Sequence, residues 1–300
     1  MSPSESPSSR KPFLIIGHRG VRTDADFEKM APENTLPAFQ QAAEQGASIE
    51  LDVMLTMDGH VVVHHDLDSG RIFKLPGTQK QISDCSLSEV QSTTLNVNGH
   101  EQSVRTMLGT EPEYKTPAQY SDVTIPELET ILDAVPNTHV YVELKAPEHK
   151  SGKLTSPNHQ LEEKITQLIQ EKNLYQRVTV IGFSAHSLRK IKARDPNIQT
   201  GLNIKLPPLL RKFPLLLPWF INVYVKHWVR ADSLQPCYED TSPNLVKAAH
   251  HAGLTIIPWV NRQTREEENA LFPLLIGMDV DGLITNAVDL LQAAVAEYTH

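Results

Sequence analysis

The run Val178-Thr-Val-Ile-Gly-Phe-Ser-Ala-His-Ser-Leu-Arg-Lys-Ile-Lys-Ala-Arg-Asp-Pro-Asn-Ile-Gln-Thr-Gly-Leu202 decides the fold. Val178–Ile181 and Ile198–Leu202 read as short, largely apolar strands, and Ala185–Ala193 between them reads as a helix. Strand, helix, strand is the grammar of a parallel pair buried on both faces. The same grammar extends outward. Upstream lie strands Phe13–Ile16, Ser48–Leu55 and Val140–Leu144, with helices at Asn34–Gln45 and Gln160–Glu171. Downstream, strands Val229–Ser233, Leu254–Ile257 and Val280–Ile284 alternate with helices Pro243–His251, Arg265–Leu275 and Val288–Tyr298. About eight such units in 300 residues predict a closed TIM (β/α)8 barrel. A doubly wound open sheet is the alternative, but no GxGxxG or GxxxxGK[ST] run follows a strand here.

Met57-Asp-Gly59 is a hairpin signal that folds a strand at His60–His64 back on Ser48–Leu55. Residues 67–123 then break the alternation; polar and rich in Gly, Thr and Asn, they read as a small insertion after the second barrel strand, over one barrel end. Met1–Pro12 is rich in Ser and Pro and reads as a disordered tail. The expected layout is a tail at 1–12 and one barrel at 13–300 with an insertion at about 67–123.

Composition narrows the function classes. Lys and Arg number 28 against 36 Asp and Glu, a formal charge of −8 that argues against a general nucleic-acid binder, so any phosphate site must be locally basic. Cys85 and Cys237 are far apart and read as buried free thiols, with neither a disulfide scaffold nor a thiolate zinc site supported. With no signal-peptide core, a cytoplasmic location is the default expectation. The most apolar region, Leu206–Val225, carries Arg211, Lys212 and four prolines, so it cannot be a plain membrane-spanning helix but could lie on a membrane surface.

Reactive groups of a barrel gather where its strands end. Gly17-His-Arg-Gly20 closes the first strand and sets an imidazole beside a guanidinium in a Gly-flanked turn; a surface turn is the bland alternative. Glu50 and Asp52 share one face of their strand, as do Glu143 and Lys145 on a later one. Glu50, Asp52 and Glu143 together offer hard oxygen ligands suited to Mg²⁺ or Ca²⁺. Of the adjacent His64 and His65 only one can face a given neighbour, and His65, followed by Asp66, is the better acid/base partner for His18. Trp259 and Asn261 share a face and could form a substrate platform, or Trp259 could simply cap the core. His60, His100, His149, His159, His250 and His251 sit in polar contexts and read as solvated. Two histidines, three carboxylates, an Arg and a Lys suit phosphodiester cleavage, in which cations offset phosphoryl charge and the imidazoles move protons.

In this order the residues resemble the glycerophosphodiester phosphodiesterase family. The segments that carry the resemblance are Ile16-Gly-His-Arg-Gly20, Ala31-Pro-Glu-Asn-Thr-Leu-Pro-Ala-Phe39, Gly46-Ala-Ser-Ile-Glu-Leu-Asp-Val53, Thr56-Met-Asp-Gly59, Val62-Val-His-His-Asp66, Ile125-Pro-Glu-Leu128, Val142-Glu-Leu-Lys145, Pro258-Trp-Val-Asn261 and Val280-Asp-Gly-Leu-Ile-Thr285. The resemblance implies a TIM barrel, a divalent cation, and hydrolysis of a small glycerophosphodiester to an alcohol and glycerol 3-phosphate. It also implies His18 and His65 as the acid/base pair, Glu50, Asp52 and Glu143 as metal ligands, and Arg19 and Lys145 as phosphate contacts. Glu33 and Asn34 match a motif near the site or cap the helix that follows.

Departures from the pattern lie in the extra stretch Val21–Met30 with Asp24, Asp26 and Glu28, in Asp68-Ser-Gly-Arg71, and in Thr285-Asn-Ala287 where the family ends Thr-Asp-Pro. They bear on loop shape and head-group preference. Residues 207–225, with Trp219 and Phe220, fall after the fifth barrel strand on the active-site side. Peripheral membrane contact there would favour a lysophospholipid substrate; a helix packed on the barrel or an oligomer contact are the alternatives. A catalytically silent phosphodiester-binding barrel is the remaining reading, and the intact His and carboxylate set argues against it.

Overall fold

A computed structural model of the chain describes residues 12–22, 30–67, 70–74, 81–109, 114–145, 160–260, 262 and 264–299. The tail at 1–11 and Asp24, Asp26, Glu28, Asp68, His149, His159 and Asn261 lie outside the described residues. The strands are β1 (Leu14–His18), β2 (Ser48–Leu55), β3 (Val61–Val63), β4 (Phe73–Lys74), β5 (Thr94–Leu95), β6 (Val140–Leu144), β7 (Val178–Gly182), β8 (Gln199–Ile204), β9 (Ser233–Pro236), β10 (Thr255–Ile256) and β11 (Gly282–Thr285). Parallel pairing runs in the order β10-β9-β8-β7-β6-β2-β1-β11, and β3 pairs antiparallel on β2 outside that path. Backbone bonds from Asp281 N–H to Ile256 O at 2.9 Å and from Ile284 N–H to Pro258 O at 3.0 Å bring the last two strands together and round off the barrel.

The barrel follows from side-chain parity. Ile49, Leu51 and Val53 of β2, Val140, Val142 and Leu144 of β6, and Val178 and Val180 of β7 point outward and meet the helices in the main core. The alternate positions Ile16, Tyr141, Ile181, Ile257 and Ile284 fill the barrel interior as a separate cluster. Helices at Leu36–Glu44, Leu161–Glu171, Ala185–Arg194, Pro243–His251 and Val288–Thr299 cover the outside, close to the expected spans.

Two elements differ from expectation. Val229–Ser233 is not a strand: Val229 ends the helical segment Phe220–Val229, Arg230 turns left-handed at φ 66°, and the strand begins at Ser233. Leu217, Ile221, Val225 and Val229 are buried at every fourth position, so the β-branched residues serve a helix face. The expected helix Arg265–Leu275 is two, Arg265–Asn269 and Phe272–Gly277, with Pro273 at the start of the second.

Between β3 and β6 the chain builds a small satellite. β4 and β5 pair antiparallel, and Ile72, Phe73, Ile82, Cys85, Val90 and Leu95 pack on Met54 of β2 and Val62 of β3. His100, read from its polar neighbours as solvated, is buried here on helix Val97–Leu108, its Nε2 3.2 Å from the Tyr114 hydroxyl, which donates to Met30 O at 2.9 Å. The helix turns it inward beside Val104 and Leu108, a placement that neighbours in sequence do not reveal.

Burial lowers the His100 pKa from 6.5 to about 4. The unfolded chain therefore binds a proton that the folded chain refuses. This group's contribution to stability is complete above pH 6.5 and is lost as pH falls toward 4, by about 3 kcal/mol in all. Urea unfolding at stepped pH should show that slope, and His100→Gln should flatten it; an equal slope in both proteins would contradict the assignment.

Candidate active site

Strand parity also builds the site. At the C-terminal ends of the barrel strands the inward positions carry His18 on β1, Glu50 and Asp52 on β2, Glu143 on β6 and Asn203 on β8. Register sets His18 beside Glu50 and Asp52 beside Glu143. Lys145 and Lys205 follow their strands, and with His65 and Trp259 they line one cavity of about 200 Å³ together with His18, Arg19, Glu50 and Glu143. Of the expected acid/base, metal and phosphate residues only Asp52 is not in that lining; it is buried, bound to Arg19 and Lys145.

Glu50, Asp52 and Glu143 each present a carboxylate oxygen within 4.8 Å of the others, all three buried. Like charges this close in a low-dielectric pocket raise one another's proton affinity. Burial, reinforced by the charges of Asp52 and Glu143, pushes Glu50 well above the usual carboxylate range. Burial and Asp52 raise Glu143 too. Asp52 goes the other way: burial alone would raise it, but Lys145 and Arg19 hold it below its ordinary value. The Lys145 ammonium lies 2.9 Å from Asp52 Oδ1 and bonds Glu143 Oε1, while Arg19 Nε lies 3.1 Å from Asp52 Oδ2. Glu50 takes the Arg19 backbone N–H on Oε2 at 2.9 Å, and its Oε1 is buried with no hydrogen-bond partner. An all-carboxylate donor set with an unpartnered buried oxygen fits a hard divalent cation.

Two turns support the cluster. Arg19 and Asn34 both adopt left-handed backbone, at φ 60° and 56°, and Asn34 N–H bonds Arg19 O at 3.0 Å. Gly20 has φ +88°, and a Cβ on it would sit 2.7 Å from the Ala38 backbone, so only glycine lets the His-Arg-Gly turn lie on helix Leu36–Glu44. Glu33 and Asn34 do not cap that helix: Thr35 is its N-cap, without a side-chain bond. Instead Asn34 Nδ2 donates to Asp52 Oδ2 at 2.9 Å, and buried Glu33 gathers Arg19 at 2.6 Å, Arg22 at 2.8 Å and Arg71 at 2.6 Å. Those guanidiniums overcome the burial penalty and hold Glu33 well below the usual carboxylate range.

Both cavity imidazoles are anchored at Nδ1. His65 Nδ1 lies 2.8 Å from Asp66 Oδ1, and Asp66 is held in turn by Arg71. His18 Nδ1 lies 2.9 Å from Asn286 Oδ1. Asn286 Nδ2 donates to Glu268 Oε1 at 2.5 Å and its backbone N–H to Glu268 Oε2 at 3.0 Å, so the amide oxygen must face His18. An amide oxygen only accepts; His18 therefore carries its proton on Nδ1 and turns a lone pair on Nε2 toward Glu50 Oε2, 4.0 Å away. Burial, aided by Arg19 and Arg22, pushes the His18 pKa well down and keeps the ring neutral. His64, by contrast, is buried edge-on to Phe73 at 5.9 Å, on the satellite side.

At the mouth, Phe183 meets Trp259 edge-to-face at 6.1 Å and the Lys205 ammonium lies 5.5 Å from the indole centroid. Asn203 Nδ2 donates to Glu143 Oε2 at 3.0 Å. Asn203, Lys205 and Phe183 were not singled out in the sequence, although their period-two spacing beyond inward-facing strand positions marks them. Glu268 and Arg22 carry no such mark, because only the tertiary fold brings them to Asn286.

Residues 18–290 match the model of the glycerophosphoryl diester phosphodiesterase family. A glycerophosphodiester phosphodiesterase of Caldanaerobacter subterraneus subsp. tengcongensis is 31% identical over 91% of this chain and 93% of its own. One from Bacillus subtilis is 28% identical over 95% and 87%. Among solved structures, a glycerophosphodiester phosphodiesterase from Agrobacterium tumefaciens superposes with a TM-score of 0.65 at 20% identity, covering 94% of this chain and all (100%) of that one. A phosphodiesterase from Oleispira antarctica, solved with the product sn-glycerol-3-phosphate, superposes with a TM-score of 0.67 at 20% identity, covering 94% of this chain and 96% of its own. The TIM barrel with an acidic cluster and paired imidazoles at its mouth thus belongs to the glycerophosphoryl diester phosphodiesterase family, whose members are phosphoric diester hydrolases.

Proposed function

We propose that this barrel hydrolyses glycerophosphodiesters to an alcohol and glycerol 3-phosphate, with His18 as general base and His65 as general acid. The observation that carries the reading is the unequal anchoring of the two rings. His18, bonded at Nδ1 to a neutral amide and flanked by Arg19 and Arg22, is a neutral imidazole with a free lone pair. His65 is bonded at Nδ1 to the carboxylate of Asp66, which orients the ring with Nε2 free to exchange a proton. His18 removes a proton from the attacking water as the water oxygen bonds to phosphorus and becomes part of the phosphate product. The bond from phosphorus to the head-group oxygen breaks, and His65 delivers a proton to that oxygen. The Oleispira relative's bound glycerol 3-phosphate is the phosphate product such a cleavage leaves.

Glu50, Asp52 and Glu143 would hold the divalent cation, Mg²⁺ or Ca²⁺, since all their donors are oxygens. When bound, the cation supplies positive charge opposite the phosphoryl oxygens. Lys145 and Arg19 add fixed positive charge at the same cavity, and Trp259 offers a flat wall to the organic part of the substrate. A second reading, lysophospholipase D-type cleavage of a lysophospholipid at a membrane, is favoured by exposed apolar residues in the connection that follows β8. Among the described residues no helix is long and apolar enough to cross a membrane, so such access would be peripheral.

Release of glycerol 3-phosphate from glycerophosphocholine, run beside choline release from lysophosphatidylcholine, tests the two readings. Turnover of the soluble diester supports the first; turnover of the lysolipid alone supports the second, and turnover of neither contradicts both. His18→Ala and His65→Ala should each lower turnover about 10²-fold or more, and rates near wild type would remove them from the mechanism. Glu50→Gln should raise the metal concentration needed for half-maximal activity; an unchanged titration would exclude its ligand role. Glu268→Ala, which leaves Arg22 to anchor the Asn286 amide, should lower kcat about 10-fold with little change in KM, whereas an unchanged kcat would show that the amide keeps its place without Glu268.

A further inference from the structure

The connection from β8 to β9 has a composition unlike the rest of the chain. From Lys205 to Arg230 it holds Lys205, Arg211, Lys212, Lys226 and Arg230 and no Asp or Glu, although the whole protein carries 36 acidic residues and a charge of −8. Its root is fixed: Arg211 Nε lies 2.6 Å from buried Asp240, which also accepts the Leu206 N–H at 2.7 Å. Its far half is fixed too, by the stripe Leu217, Ile221, Val225 and Val229 against the barrel wall.

Between those anchors the chain turns apolar side chains to solvent. Leu215 is 93% exposed, Trp219 64%, Leu209 58% and Phe213 49%, and within 207–219 only Leu210 and Leu217 are buried. Large apolar side chains held outward on a fixed base, with the Lys212 ammonium among them, match the boundary between lipid head groups and acyl chains. The segment leaves directly from Lys205 in the cavity wall, and Phe183, 53% exposed, stands at the same mouth. Beside Leu215 and Pro218 a cavity of about 530 Å³ opens against Lys247 and Ala248.

We propose that residues 207–223 form a docking surface for an anionic phospholipid bilayer. Leu209, Phe213, Leu215 and Trp219 enter the leaflet while Lys212 stays at its anionic head groups. Lys205, where the segment begins, lines the cavity, and, resting on the catalytic reading above, the site of the docked barrel takes a glycerophosphodiester head group whose acyl chain remains in the membrane.

Flotation of the full chain with vesicles of phosphatidylcholine, alone or mixed with phosphatidylglycerol, tests the surface. The wild type should float with the anionic vesicles and less so at high salt. Leu215→Asp and Trp219→Asp should each reduce the bound fraction about 10-fold or more, and Lys212→Glu should remove the preference for anionic lipid. Thermal midpoint and turnover of soluble glycerophosphocholine should be unchanged in all three. A wild type that floats with neither vesicle, or variants that float as well as wild type, would overturn the proposal. A dimer by light scattering that Leu215→Asp dissociates, without vesicle binding, would assign the surface to a second copy instead. Vesicle binding in a protein that turns over no diester would leave the docking surface standing and overturn the catalytic reading.

Discussion

Three carboxylates buried within 4.8 Å of one another at the end of a barrel are the constraint around which the rest of this structure is arranged. Left unneutralised, such a cluster opposes folding, because each charge is both desolvated and repelled by the others. Lys145 and Arg19 offset part of it, and the cost concentrates on Glu50, whose proton affinity rises and whose Oε1 has no hydrogen-bond partner. Glu33 then appears as the second layer of the same solution. It holds Arg19 against Asp52 and ties Arg22 and Arg71 into one buried assembly. Such an oxygen-only cluster could hold a divalent cation.

The acid cluster also explains the unequal environments of the two imidazoles. A charged His18 would face Arg19 and Arg22, and its Nδ1 partner is an amide that offers no charge in return. His65 stands beside the carboxylate of Asp66 and is more open to solvent. A neutral amide thus holds one ring and a carboxylate the other. Behind His18, Glu268 holds the Asn286 amide, and the amide sets the tautomer of the ring.

Much of this was legible in the order of residues. Period-two spacing brings Glu50 and Asp52 to one face, and Glu143 and Lys145 to another, before any coordinates are known. The strand and helix alternation leads to the barrel for the same reason, since βαβ units of this length have few ways to bury both faces of a parallel sheet. Local pattern failed where tertiary contact decides the outcome. Val229 looks like the start of a strand but completes a buried helix stripe, and His100 has polar neighbours in sequence yet faces inward on its helix. Glu33 and Asn34 resemble capping residues and instead bind side chains across the mouth. Glu268 has no signature at all, because its partner lies on a different element and the pair meets only in the folded chain.

Thermal unfolding of EDTA-treated protein, with and without Mg²⁺ or Ca²⁺, tests the acid cluster most directly. A cation that binds the folded triad stabilises the protein by about 2.7 kcal/mol at a concentration 100 times its dissociation constant, so the midpoint should rise with metal, and Glu50→Gln should abolish the rise. A midpoint indifferent to both ions in the wild type would contradict the account, because the carboxylates would then be neutralised by protons and by Lys145 and Arg19 alone.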